Sequence, residues 1–368
     1  FFLLSKTIGA AARLYLVVLI LQTYVFAAWN IPFGVTVAGS ILLIWLYTYR
    51  GGVKTIIWTD TLQTICFIAM LIVIIWQVKD VMHTDSRGLI QTLIDSPHFR
   101  IFEFSDWHST QHFVKQFLSG IFIVIVMTGL DQDMMQKNLS CKTLKESQKN
   151  MYWYGFAFTP VNFLFLSLGV LLLTLAGRLN IALPALNDDI LPMYCTSGIL
   201  GESILIFFTI GIIAAAFSSA DSALTALTTT FCVDILGIHK EEAQKAKKTR
   251  LKVHLLISVL FALIIIIFKA INNRSVIDAI YVIASYTYGP LLGLFSFGLF
   301  TRMVPRDKLV PYICIASPVI CYVADKLVFA YTGYRFGYEI LMINGMLTFM
   351  GLWLATSKTK NNIHDNGN

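Results

Sequence analysis

The stretch AAAFSSADSALTAL (Ala214–Leu227) breaks a long apolar run with two serines, an aspartate and a third serine. Wound as a helix, Ser218, Ser222, Thr225 and Thr229 recur at i, i+4, i+7 and i+11 and form one polar stripe. Ser219 is adjacent, and Asp221 lies one turn from Ser218. Small flanking residues (Ala214, Ala215, Ala216, Ala220, Ala223, Ala226) let another helix approach closely. Hydroxyls alone could be glue between helices. A carboxylate in the middle of a membrane helix costs about 2.5–3.5 kcal/mol on insertion scales, so Asp221 needs a partner, a cavity or an ion. Hydroxyl and carboxylate oxygens are also what a hard monovalent cation accepts in place of water. A cation site is the leading reading of this stretch.

Working outward, the 368 residues are 57% hydrophobic and 13% charged, with a mean hydropathy of +0.70. Soluble domains carry about 45–50% apolar and about 25% charged residues. Apolar runs of membrane-spanning length recur throughout, which makes this an all-α integral membrane protein. The net charge of +7 sits in short loops between the runs, a topological signal rather than a nucleic-acid footprint. No nucleic-acid partner is expected. A lipid bilayer is the expected partner.

Ten spans are expected: Ile8–Ala28, Phe33–Tyr49, Thr55–Val78, Phe113–Asp131, Met151–Leu175, Ser203–Val233, Leu251–Ile271, Val276–Phe300, Leu309–Val328 and Tyr338–Thr356. Alternate loops concentrate the basic residues, among them Arg50 and Lys54, Lys137 to Lys149, Lys240 to Lys252, and Arg302 to Lys308. Lys and Arg accumulate in cytoplasmic loops, so these loops and the tail face the cytoplasm of an inner, multi-pass cell membrane. Residues 1–357 read as one transmembrane domain and 358–368 as a disordered cytoplasmic tail. The chain begins within a helix without a methionine, which reads as a fragment whose first helices are missing.

Enzyme chemistry finds little support. The cysteines are scattered singly, with no metal-ligand spacing, and neither HExxH nor a phosphate-binding loop occurs. The histidines, His254 included, read as loop or span-end residues, leaving the serines without a base. No catalytic residue and no prosthetic group are assigned.

Three other polar stretches fall at membrane depth. In YTYRGGVKTIIWTDTLQT (Tyr47–Thr64), Gly51-Gly52 suggests a tight turn between two spans. Asp60 follows inside the next helix, either solvated, paired with Lys54, or part of a site. In TGLDQDMMQ (Thr128–Gln136), Gly129 followed by Asp131, Gln132 and Asp133 reads as a discontinuous helix or as the plain end of a span. In ASYTYGPLLGLFSFGLF (Ala284–Phe300), Pro290 suggests a hinge, Gly293 and Gly298 close packing, and Tyr286 and Tyr288 either cavity lining or interfacial anchors.

In this order these pieces resemble the sodium/solute symporter family, which includes sodium–glucose cotransporters and bacterial proline, pantothenate and sialic acid carriers. Tyr47-Thr48…Gly51-Gly52 with Trp58-Thr59-Asp60…Gln63 is similar to its signature region, GLDQDMMQ to its sixth core helix, and Ala215…Ser218-Ser219 to its sodium motif. The resemblance implies a LeuT-type five-plus-five inverted repeat, with 1–78 the remainder of the first repeat, 113–300 the second and 301–357 peripheral helices. It implies half of a sodium site from the Ala215 carbonyl and the Ser218 and Ser219 hydroxyls. Asp60, Asp221 and Ser222, with Ser218, match a second cation site of some members, where serine can stand at the position of Asp221. Met127, Gln132, Tyr286 and Tyr288 fall where substrate or gating residues are expected. The implied function is sodium-coupled symport of a small polar solute, a sugar or related compound, by alternating access; Na+ is the co-transported ion. The alternatives are a sensor or receptor on the same fold, or a proton-coupled symporter of an amino acid or organic acid.

Overall fold

Among the described residues the apolar runs above are mainly helix, because an apolar segment in lipid can satisfy its backbone N–H and C=O groups only internally. The computed structural model describes residues 2–26, 29–109, 111–238, 242–271, 276–334 and 336–359, without the side chains of 49–55, 271, 276–283 and 357–359. The expected tail therefore lies almost wholly outside the described residues. Among the described residues twelve α-helices follow in order: α1 (Phe2–Ile20), α2 (Phe33–Val81), α3 (Ser86–Ile94), α4 (Phe113–Val124), α5 (Gln132–Leu139), α6 (Leu144–Leu179), α7 (Ile190–Thr196), α8 (Glu202–Thr230), α9 (Ala243–Ile271), α10 (Val276–Phe300), α11 (Val310–Thr332) and α12 (Ile340–Leu354).

The expected count of ten spans needs correction. Among the described residues six helices are long and apolar enough to cross a membrane, or seven if the bent pair α4–α5 counts as one span. Phe33–Thr48 and Ile340–Leu354 are helical and apolar but short. At 15 residues, α12 rises only about 22 Å, against about 30 Å of hydrocarbon. The all-α expectation also misses a small antiparallel ribbon, Met303–Pro305 against Thr356–Thr359. The turn expected at Gly51-Gly52 is drawn as helix, since α2 runs unbroken from Phe33–Val81; the side chains there lie outside the description.

The chain divides into two compact units. One comprises Ala10–Ile101 and Gln136–Arg274. Its core is built on helical periodicity: Leu71, Ile74 and Val78 of α2 meet Leu168, Leu171, Leu172 and Leu175 of α6 and Ile204 and Phe208 of α8. The α2–α8 crossing is tight at Gly211, where an added Cβ would lie 2.7 Å from the Cβ of Met70. The short α7 is sealed into this core. Tyr194 donates its phenol to the Leu172 carbonyl at 3.1 Å. Burial pushes the neighbouring Cys195 thiol up to about 12, so this cysteine serves as inert packing.

The other unit gathers Phe1–Gly9, Phe102–Met135 and Ser275–Asn368. Its heart is the α10–α12 pair. An added Cβ at Gly293 would sit 2.6 Å from the Gly345 carbonyl, a backbone contact that only glycine permits. Gly298, expected to play the same part, faces nothing within 4 Å. Pro290 does not break α10, which stays helical throughout. A proline lacks the N–H that would reach the carbonyl four residues earlier, here Tyr286. The fully buried Asn344 of α12 supplies the missing donor, its Nδ2 lying 2.9 Å from the Tyr286 oxygen. The expected hinge is a helix splinted by its neighbour.

Candidate functional site

In the first unit, α2 and α8 carry the polar stripe of the opening sequence. Small residues on α8 bring α2 close enough for side chains to bond directly. Ser218 donates its hydroxyl to Asp60 Oδ1 at 2.7 Å, and Lys137 of α5 reaches Asp60 Oδ2 at 2.7 Å. Asp60 is thus neither merely solvated nor shown against Lys54, whose side chain lies outside the description. Tyr47 donates its phenol to Asp221 Oδ2 at 2.8 Å, while Asp221 Oδ1 accepts the Ser222 backbone N–H. Asp221 is 0% exposed. Ser222 is buried too, and among the described residues its hydroxyl has no hydrogen-bond partner. Ala215 and Ser219 are half-buried on the same helix.

Among the described residues the charges do not balance. Asp60 and Asp221 contribute two negative charges and Lys137 one positive, all within one cluster. Asp221 meets only neutral donors among the described residues. An uncompensated carboxylate in such surroundings is expensive, and one monovalent cation or one proton would neutralise it. Oxygen atoms of Asp221, Asp60, Ser218 and Ser222 offer the donor set a hard cation takes.

Beside this cluster lies one that the sequence reading missed. His254, read from the sequence as a loop or span-end residue, is a buried residue of α9. Its Nε2 lies 3.0 Å from Thr48 Oγ1 and its Nδ1 3.1 Å from Thr228 Oγ1.

The second unit holds another buried ionic cluster, at the helix break. α4 ends in a wide turn over Ile125–Gly129, and α5 resumes at 59° to it, so the discontinuous helix is present. Asp131 sits in the break and Asp133 in the first turn of α5. Lys6 of α1 bonds Asp131 at 2.9 Å and Asp133 at 3.1 Å. Tyr288 of α10 adds its phenol to Asp131 Oδ2 at 3.3 Å. Lys6 is only 6% exposed. Sequence gave no sign of it, because it precedes the first expected span; the paired acids at 131 and 133 were the available clue.

Of the expected substrate or gating residues, Met127 lies half-buried in the wide turn and Gln132 opens α5. Tyr288 is tied to Asp131. Tyr286 packs its ring edge-on against Tyr322, with centroids 6.2 Å apart. These four belong to the second unit, and the expected cation residues to the first.

Buried carboxylates and hydroxyls together with a broken helix, in a chain of several apolar helices, are features shared by proteins that handle ions or solutes across a bilayer. Residues 7–307 match the Sodium:solute symporter family, and the chain belongs to that family. It is 24% identical over 285 residues to the sodium/sialic acid symporter SiaT of Proteus mirabilis, covering 75% of this chain and 56% of that protein. It is 24% identical to the sodium/sialic acid symporter NanT of Aliivibrio fischeri, over 82% of this chain and 61% of that one. A sodium-dependent multivitamin transporter of Oryctolagus cuniculus is 25% identical over 69% of this chain and 41% of its own. The chain thus spans about three-fifths of the length of the sialic acid carriers it matches. Among solved structures, a Na+-coupled sialic acid symporter in a substrate-bound outward-open state superposes with a TM-score of 0.76 at 21% identity. That match covers 96% of this chain and 72% of the other, and it establishes a shared fold.

Proposed function

We propose that this protein is a sodium-coupled secondary active symporter that imports an acidic sugar of the sialic acid type. Membership of the Sodium:solute symporter family carries the reading, and the names of two relatives point to the substrate class. The broader expectation of a sugar or any small polar solute narrows accordingly. The fold is read as a LeuT-type inverted repeat, with 1–78 and 113–300 as its two halves in a single domain of residues 1–357. The protein lies in the cell membrane with its C-terminus in the cytoplasm.

On this reading Ala215, Ser218 and Ser219 form one half of a sodium site. Asp60, Asp221 and Ser222 form a second cation site, supported by the charge of Asp221 and the hydroxyl of Ser222, both without a balancing partner among the described residues. Met127, Gln132, Tyr286 and Tyr288 line or gate the solute path. A bound cation neutralises Asp221 and holds α2 against α8, so its affinity differs between conformations that keep and lose that contact. Such a difference is what lets an ion bias a conformational equilibrium and, reciprocally, favour the solute. Each cation entering an inside-negative cell releases about 2.3 kcal/mol per 100 mV.

Binding of radioactive sodium to the full-length protein tests the site. Wild type should bind it saturably, and the pair Ser218→Ala with Ser219→Ala should weaken binding at least tenfold. Unchanged binding in that variant refutes the assignment.

A further inference from the structure

We propose that His254 is a positioning residue whose imidazole clasps α2 to α8 and sets the register in which Tyr47 meets Asp221; the positioning role rests on the reading of Asp221 as a cation ligand. Three helices meet at this ring. Thr48 follows Tyr47 directly on α2. Thr228 stands seven residues, two turns, beyond Asp221 on the same face of α8. A ring fixed at both nitrogens therefore ties the backbone carrying the phenol to the backbone carrying the carboxylate.

Counting hydrogens shows what kind of clasp this is. Each threonine hydroxyl has one hydrogen to donate. Thr48 Oγ1 lies 2.7 Å from the Ile44 carbonyl, and Thr228 Oγ1 lies 2.6 Å from the Leu224 carbonyl. If both hydroxyls spend their hydrogen on their own helices, both can only accept from the ring. A neutral imidazole has one N–H, so it satisfies one threonine that way. The other threonine must turn its hydrogen to the bare nitrogen and give up its carbonyl. That loss is small, because a helix carbonyl already accepts a backbone N–H. Two arrangements follow. With hydrogen on Nδ1, Thr228 keeps its carbonyl and Thr48 turns; with hydrogen on Nε2 the roles exchange. In either case both bonds to the ring survive, and the clasp holds without a buried charge.

Single valine substitutions separate the two arrangements. In the full-length protein with nitrogen-15-labelled histidine, the His254 ring signals are identified by their loss in His254→Gln. Thr48→Val leaves Thr228 alone, and the ring hydrogen should reside on Nδ1. Thr228→Val should place it on Nε2, while Thr48→Ser should keep the wild-type spectrum. If the same nitrogen carries the hydrogen in both valine variants, or if neither valine disturbs the ring, the clasp is refuted. Where a valine variant does not fold, Thr48→Ala and Thr228→Ala pose the same question with less bulk. The positioning role has its own readout: His254→Gln should raise the sodium concentration for half-maximal uptake at least threefold, with the saturating rate within twofold of wild type. An unchanged sodium requirement, or an equal loss of rate at all sodium concentrations, overturns the positioning role. Uptake that ignores sodium in wild type refutes the proposed function instead, and the ring spectra still decide the clasp.

Discussion

Ser218 and Asp60 stand 158 positions apart in sequence and share a 2.7 Å hydrogen bond between α8 and α2. The same carboxylate receives Lys137, so Asp60 joins three helices within one unit. Asp60→Asn keeps the shape and removes the charge. We expect it to raise the sodium concentration for half-maximal uptake at least tenfold while the protein still folds, as measured by initial uptake rates across a sodium series. A change below twofold would remove Asp60 from the cation machinery.

Asp221 is a fully buried carboxylate whose hydrogen-bond partners among the described residues are a phenol and a backbone N–H. Asp221→Asn removes the charge that a second cation would neutralise. The charge moved per solute molecule should fall by one, and the sodium Hill slope should drop toward one. Simultaneous current and tracer measurements provide the ratio, and an unchanged ratio counts against a second site at Asp221.

How much of this was legible depends on the contrast between a residue and its neighbours. Ser218, Asp221 and Asp60 stand out because they interrupt apolar runs, and the structure joins Ser218 to Asp60. Lys6 was hidden because it lies outside the first expected span, where a lysine looks solvated. His254 was misplaced because Arg250 and Lys252 beside it resemble a loop, although the helix turns it inward. Nothing in the sequence marks Asn344; its purpose exists only once α12 lies against the Pro290 turn of α10. Phe33–Thr48 and Ile340–Leu354 fall short of the expected spans because hydropathy counts apolar residues, whereas crossing a bilayer needs an adequate helix length.

Lys6 is buried against two carboxylates, and removing one partner of a buried pair typically costs about 3–5 kcal/mol. Lys6→Met should therefore lower the melting temperature in detergent by several degrees. Adding Asp131→Asn should recover much of the loss, because fewer charges are left unpaired. Equal or additive destabilisation in the double variant would mean that the ion pair carries little of the stability of the helix break.

Asn344 donates to the carbonyl that Pro290 leaves without an N–H. Asn344→Leu preserves the volume approximately but removes the donor, at a cost of about 1–3 kcal/mol for a buried unsatisfied group. Replacing Pro290 by alanine in the same chain restores the helix hydrogen bond and should relieve part of that cost. Thermal unfolding of the single and double variants measures the coupling, and a purely additive result would contradict the splint.

The central claim is sodium-coupled symport, and uptake into liposomes containing the full-length protein tests it most directly. Radiolabelled sialic acid should accumulate above equilibrium when sodium is higher outside, accumulate further when the interior is made negative, and only equilibrate when choline replaces sodium. Equal uptake in sodium and choline would contradict the account.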